Sequence, residues 1–268
     1  MSEFTKMEKL EDDLKGLSFN GTSNIETTDV LESGTIVVDD VDKCREITSR
    51  LVKEGKEIAV DFEGIDLCRD GELCLIQCAQ KDDNGRVYLF DIVAMNKAAF
   101  TEGGLKELLE SSHVKKVIYD GRGDADALYH QFEVSLLNVY DLQICSVKRQ
   151  ETLECHPDKF VHGLGKAMNR FLEHDFHRSV DIQHVKKAGK ELFAPEKGGS
   201  YEVWKVRPLH PDLIKYASLD VEILHDMKSA WERFSPELDN GILAAKRIHK
   251  CVHARNAARG RHMAKKDF

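Results

Sequence analysis

The sequence lacks the features that would place the chain in a membrane or attach it to nucleic acid by bulk charge. No apolar run approaches the roughly 20 residues that a bilayer span requires, and residues 1–13 have neither a basic start nor an apolar signal core. We therefore expect no membrane partner and an intracellular location, cytoplasmic or nuclear. The 39 Lys and Arg residues are outnumbered by 47 Asp and Glu, so a polyanionic partner must meet a local basic patch.

The cysteines lack the spacing of a disulfide framework or a zinc site. There are seven, an odd number, and no two form a CxxC pair, which predicts free and mostly buried thiols. Apolar residues make up 41% of the chain and charged residues 32%. Over 268 residues, this balance indicates a globular protein with a substantial hydrophobic core.

Composition divides the chain into three segments. Residues 1–34 hold eight acids and three bases with little apolar periodicity, and they predict a flexible acidic segment. Residues 35–236 carry the patterns of a folded domain. Residues 237–268 are predicted to form a basic helix and tail, because Lys246 to Lys266 includes eight bases and no acid. This stretch either contacts phosphates or forms a solvated helix face.

The middle segment predicts an α/β fold. Strands are indicated at 35–39, 58–63, 73–79 and 86–93, and Asn84-Gly85 is a strong hairpin signal, so the last three form an antiparallel meander. Strands at 116–119 and 139–141 alternate with helices, which predicts parallel strands in a mixed sheet flanked by helices. Beyond residue 144 we expect mainly helices, at about 163–172, 182–192, 210–234 and 238–255.

Two acids interrupt an otherwise apolar strand. Asp61 and Glu63 are two residues apart, so both side chains face one side of the sheet while Val60 and Phe62 face the other. Two neighbouring carboxylates repel each other and are costly to bury. The pattern therefore implies a bound cation, a basic partner side chain or exposure at the strand end.

Two further acidic pieces follow. The buried strand Lys116-Val-Ile-Tyr119 leads through glycines into a helix whose first turn carries Asp124 and Asp126, where helix capping is the plain alternative. Tyr216 and Asp220 are four residues apart on a long helix, which places phenol and carboxylate on one face at the edge of its buried stripe.

Together, the three pieces resemble the DEDD superfamily of 3′-to-5′ exonucleases, in its tyrosine-bearing subclass. Asp61-Phe-Glu63-Gly resembles the first motif, and Gly71-Glu-Leu-Cys-Leu-Ile-Gln77 resembles the strand that follows it in ribonuclease D relatives. Lys116 to Leu128 with Val139-Tyr-Asp-Leu-Gln143 resembles the second motif, and Arg207-Pro-Leu with Tyr216-Ala-Ser-Leu-Asp220 the third. The segment from Ala194 to Tyr201 is most similar to exonuclease-domain proteins grouped with egalitarian.

The resemblance covers about residues 35–236 and implies a ribonuclease H-like fold with a two-metal site. Asp61, Glu63, Asp124 and Asp220 would hold two Mg²⁺ or Mn²⁺ ions, with Asp61 bridging them. Tyr216 would orient the attacking water. The histidine-bearing subclass has its base five residues before the last Asp, and Lys215 occupies that position here.

The second motif offers two candidate ligands. Asp124 lies 17 residues before Asp141, the spacing of ribonuclease D-like enzymes, whereas Asp126, at 15, matches the position kept in adaptor-like relatives. Residues two apart on a helix point about 200° away from each other, so both cannot face one metal. We predict Asp124 as the ligand and Asp126 as a capping or supporting residue.

The resemblance implies a 3′-5′ exonuclease that hydrolyses single-stranded nucleic acid to nucleoside 5′-monophosphates, with RNA favoured over DNA. Phe62 would contact the terminal nucleotide, and Arg122, Lys148 and Arg149 are candidate phosphate contacts, with a plain surface role as the alternative. A second hypothesis is a weak or inactive nuclease fold that acts as an RNA-binding adaptor. A protein partner or a homodimer is compatible with either hypothesis.

Overall fold

The computed structural model describes residues 34–81, 83–155 and 158–256. The acidic segment predicted over 1–34 lies outside this range except for Gly34, and so does the tail from residue 257. Within the described ranges, no helix is both long and apolar enough to cross a bilayer. The seven cysteines are all free thiols, and all except Cys155 are buried, as predicted.

Six strands of the described chain form one mixed sheet. They are β1 (Thr35–Val38), β2 (Ile58–Ile65), β3 (Glu72–Gln80), β4 (Val87–Asp91), β5 (Lys116–Ile118) and β6 (Val139–Asp141). Their order is β1-β4-β3-β2-β5-β6. The antiparallel meander β2-β3-β4 and the parallel additions β5 and β6 confirm the predicted fold class. The sequence did not predict the place of β1, which pairs in parallel with β4 at the edge.

Ten α-helices flank the sheet in the described residues. They are α1 (Val41–Glu54), α2 (Ile92–Met95), α3 (Ala98–Thr101), α4 (Leu105–Glu110), α5 (Arg122–Phe132), α6 (Leu142–Leu153), α7 (Leu164–Phe171), α8 (Phe176–Phe193), α9 (Pro211–Trp231) and α10 (Glu237–Val252). Helix α6 was not predicted, because its first six residues are all buried and leave no amphipathic stripe to detect. Helix α8 begins six residues before its predicted start, where Asp175 caps it by accepting a bond from the Arg178 amide.

The two faces of the sheet have different coverings. Val60, Phe62 and Ile76 belong to the main hydrophobic core, which also includes residues of α1 and α4. Helix α9 packs on the meander and covers the other face, the one to which the side-chain alternation of β2 directs Asp61 and Glu63. The acids therefore lie between the sheet and α9.

A β-bulge follows Glu63. The register between β2 and β3 shifts between Glu63 and Gly64, and a Cβ at Gly64 would lie 2.0 Å from the carbonyl oxygen of Glu72. Only glycine, which has no Cβ, allows the two backbones to approach this closely, and this explains why glycine follows the Asp-x-Glu pair. The bulge bends β2 at the residue that presents the second carboxylate.

Candidate active site

Three of the four predicted carboxylates converge between β2 and α9. Ligand oxygens of Asp61, Glu63 and Asp220 all lie within 4.8 Å of one another. Asp220 is 2% exposed, because α9 is covered on both sides. Asp124, in the first turn of α5, is not one of these three. It lies close enough that its charge contributes to raising the pKa of Glu63.

Burial and mutual repulsion dominate the electrostatics of this cluster. Burial, reinforced by the charge of Asp220, raises the pKa of Asp61 to about 8. Burial and the neighbouring carboxylates also raise the pKa of Glu63 and of Asp124. Without a cation, the cluster therefore holds protons at neutral pH that ordinary carboxyl groups would release.

Lys186 of α8 is the basic side chain at the cluster. Its Nζ donates to both oxygens of Asp220, at 2.5 and 2.6 Å, and lies 3.3 Å from the centre of the Tyr216 ring. A basic side chain, one of the three alternatives that the Asp61–Glu63 pattern left open, is thus present at the cluster but pairs with Asp220. In the described residues, Asp61 and Glu63 form no ion pair.

The donor set fits divalent metal ions. Three clustered carboxylates offer the hard oxygen ligands that Mg²⁺ and Mn²⁺ prefer, and the single ammonium group of Lys186 leaves an excess of two negative charges when all three are ionised. An ion that binds Asp220 must share that carboxylate with Lys186 or displace it. Asp61, Glu63 and Asp220, with Asp124 beside them, are the residues that would hold the ions.

Tyr216 is more deeply buried than the predicted edge position, at 7% exposure. Phe193 lies edge-on to its ring, with centroids 5.1 Å apart, and α8 crosses it at Gly189. Burial and the nearby carboxylates raise the pKa of the phenol well above its usual 10. The hydroxyl therefore stays protonated at neutral pH and can donate a hydrogen bond, which favours orientation over proton abstraction.

Gly189 allows α8 to reach Tyr216, and we expect Gly189→Ala to impair both stability and the site. The added Cβ would lie 2.5 Å from Cδ2 and 2.7 Å from Cβ of Tyr216. Overpacking of this kind costs about 1–3 kcal/mol, so Tm should fall. Gly241→Ala in α10 is the matched control, because its Cβ meets only a carbonyl oxygen at 3.8 Å. Equal melting of the two variants would contradict the close packing of α8 on Tyr216.

Asp126 has a structural partner on the opposite side of α5. It is 1% exposed and accepts from Arg69 Nη2 at 2.6 Å and from the Arg69 amide at 2.9 Å. The same guanidinium donates to the carbonyls of Cys251, Val252 and Ala254 at the end of α10. Asp126 therefore links α5, through Arg69, to the C-terminal helix.

The predicted substrate-binding residues are dispersed. Phe62 is 4% exposed and packs in the core on the face opposite the acids, so its side chain does not face them. Arg122 donates to both oxygens of Asp120, at 2.5 and 2.8 Å. Lys148 pairs with Glu151 on α6. Arg149 lies over the Trp231 ring. Trp231 follows Asp220 by eleven residues on α9, which is a distance of about 16 Å along the helix axis.

Sequence reasoning missed Lys186, Arg69 and Arg247 as partners of the motif acids. These bonds span 34, 57 and 106 residues, and a single lysine or arginine on a helix or in a turn carries no local signal of its partner. The prediction that the basic stretch from Lys246 contacts phosphates or forms a solvated helix face is wrong for Arg247. This residue is buried and binds Asp141 Oδ2 at 2.5 Å. It is not available to phosphates. Four other bases of that stretch lie beyond residue 256, outside the described residues.

The chain has known relatives in sequence and in fold. The family model described as 3′-5′ exonuclease matches residues 35–234. The piRNA biogenesis protein EXD1 of Mus musculus is 33% identical over 178 residues, which are 65% of this chain and 28% of that protein. The Egalitarian protein homolog of Caenorhabditis elegans is 27% identical over 58% of this chain and 25% of its own length. The chain spans less than half the length of these curated relatives.

Solved structures show the same fold. Trypanosoma brucei RNase D in complex with RNA U12 superposes with a TM-score of 0.67 at 19% identity, over 89% of this chain and 79% of that one. At this identity the likeness concerns the fold. The mixed sheet flanked by helices is thus of the RNase D kind.

Proposed function

The chain belongs to the 3′-5′ exonuclease family, and from this premise we propose that it is a two-metal-ion exonuclease acting on single-stranded nucleic acid, with RNA favoured over DNA. The observation that carries the proposal is the convergence of Asp61, Glu63 and Asp220 within 4.8 Å on a fold of the RNase D kind. Products would be nucleoside 5′-monophosphates, released one at a time from the 3′ end.

The residues have distinct tasks in this proposal. Asp61, Glu63, Asp124 and Asp220 would hold the ions, and their mutual repulsion would be relieved by the bound positive charge. Two divalent ions, when bound, acidify the attacking water and offset charge on the leaving alkoxide. The protonated Tyr216 hydroxyl orients that water from α9, one turn before Asp220. Phe193 and Gly189 hold the ring in place.

A gel assay with 3′- and 5′-labelled RNA and DNA strands tests the activity. Wild type is expected to shorten single strands from the 3′ end with Mg²⁺ or Mn²⁺ and not with chelator, and to prefer RNA. A metal-loaded sample that releases no mononucleotide from any single strand would refute the proposal.

The same assay separates Asp124 from Asp126, and we expect their Asn variants to fail in different ways. Asp124→Asn removes a carboxylate beside the cluster, so it should lower the rate by about 10²-fold or more with little change in Tm. Asp126→Asn weakens the bond to Arg69, so it should lower Tm and keep the rate per folded molecule. The reverse pattern would assign the metal ligand to Asp126.

The Lys186–Asp220 ion pair favours a second candidate, in which the lysine replaces the ions and the fold serves as an RNA-binding adaptor. That protein would bind RNA equally well with metal and with chelator and would release no nucleotides. Lys186→Met distinguishes the two candidates, because in the exonuclease it removes the competing cation and should tighten Mg²⁺ binding measured by calorimetry. In the adaptor, wild type should bind no measurable Mg²⁺, because Lys186 occupies the site, and only Lys186→Met should gain binding.

A further inference from the structure

A lysine-lined cleft opens beside the acid cluster. It has a volume of about 570 Å³, and residues of α7, α8 and the turn at Pro195–Lys197 line it. Five lysines and one acid, Glu191, contribute to its walls, in a chain whose net charge is −8. The lysines are Lys166, Lys186, Lys187, Lys190 and Lys197. The cleft therefore concentrates positive charge on an acidic protein.

The lysines of the cleft differ in how they are paired. Lys166 binds Asp158 at 2.7 Å, and Lys187 lies 3.9 Å from Glu191, but both pairs are exposed and such pairs contribute little to stability. Within the part of the chain that the structure describes, the ammonium groups of Lys190 and Lys197 form no hydrogen bond or ion pair. Two of the ammonium groups that line the cleft are thus not paired with a carboxylate of the described chain.

Lys186 joins the cleft to the acid cluster. It lines the cleft and also binds Asp220. Lys190 follows one turn later on the same face of α8 and also lines the cleft. Gly163 precedes α7 at its N-cap position and offers no capping side chain, so the first turn of that helix also favours an anion. Lys186 and Lys190 thus extend positive charge along α8 from Asp220 into the cleft.

We propose that this cleft binds the backbone phosphates of a single-stranded nucleic acid, on the 5′ side of the nucleotide held at the acid cluster. The proposal rests on the proposed function for the direction of the strand. The sequence indicated Arg122, Lys148 and Arg149 as candidate phosphate contacts, and we assign that role to the lysines of the cleft instead. Arg122 is bonded to Asp120, and Arg149 is stacked on Trp231. Contacts of this type recognise phosphate charge and carry no base specificity.

Binding of RNA by the full chain in chelator tests the cleft without hydrolysis. The probe is a fluorescein-labelled oligouridylate of about 12 nucleotides, followed by anisotropy over a series of salt concentrations. The test protein is the double variant Lys190→Gln, Lys197→Gln. The control is Lys81→Gln, Lys97→Gln, which removes the same charge from two exposed lysines outside the cleft.

Each single-strand phosphate contact contributes about 0.7 to the salt slope, so the test variant should have a slope shallower by about 1.4 and bind roughly 25-fold more weakly at 0.1 M salt. The control should bind like wild type. An unchanged slope in the test variant, equal losses in both variants, or no binding by wild type would overturn the proposal. Nucleotide release by wild type is measured separately, with metal. If wild type releases nucleotides and the test variant keeps the wild-type salt slope, only the cleft proposal is refuted. If the test variant has a shallower salt slope but wild type releases no nucleotides, only the exonuclease proposal is refuted.

Discussion

Replacing Asp61 by Asn is expected to lower nucleotide release by at least about 10²–10³-fold while the protein stays folded. The substitution keeps the shape of the side chain and removes one of three carboxylates that lie within 4.8 Å of one another. Because ionised Asp61 is repelled by its neighbours, the neutral amide should leave the metal-free fold as stable as wild type or more stable. Steady-state release from a labelled strand and Tm in chelator measure the two effects.

The pH dependence of stability gives an independent check on Asp61. Its pKa in the folded protein is raised to about 8, above that of the unfolded chain, so the folded state holds a proton that the unfolded state has released. This group therefore lowers the stability of the metal-free protein progressively as pH rises from about 4 to 8. Mg²⁺ should raise Tm more at about pH 8 than at pH 6, and Asp61→Asn should weaken that difference. A Mg²⁺ effect on Tm that is the same at both pH values would contradict a metal site at Asp61.

Replacing Arg247 by Ala is expected to destabilise the protein by about 3–5 kcal/mol, because it leaves a buried carboxylate without its cation. Arg247 binds Oδ2 of Asp141, the last residue of β6, at 2.5 Å and also donates to Gln143 Oε1 in the first turn of α6. For a domain of this size, the loss corresponds to a fall in Tm of roughly 10 °C. Thermal melting checks it, with the exposed neighbour Lys246→Ala as the matched control. Melting of Arg247→Ala at the wild-type temperature would show that α10 is not anchored through this residue.

A second contact between α10 and Asp141 is relevant to the domain boundary predicted at 236. Asn240, fully buried, accepts from the Asp141 amide at 2.8 Å and donates to the Asp141 carbonyl. A chain that ends at 236 loses both Asn240 and Arg247. We expect it to melt at least as early as Arg247→Ala, and a truncated chain as stable as wild type would establish 236 as the boundary.

Much of the fold followed from local patterns. The hairpin signal at Asn84-Gly85 predicted the meander, and the alternation of Asp61 and Glu63 with Val60 and Phe62 predicted which side of β2 faces the core. These predictions succeeded because they depend on residues adjacent in the chain. Helix α6 escaped detection because burial on all sides removes the periodic contrast that identifies a helix.

The sequence by itself placed Asp61 and Glu63 on one face of a strand and Tyr216 and Asp220 on one face of a helix, and the family resemblance implied that these residues meet. Only the tertiary structure decided what surrounds them: Lys186 on Asp220, Arg69 on Asp126 and Arg247 on Asp141. These partners are 34, 57 and 106 residues apart in the chain. An ion pair depends on distance in space, and no local periodicity encodes the distance between elements that pack together from separate parts of the chain.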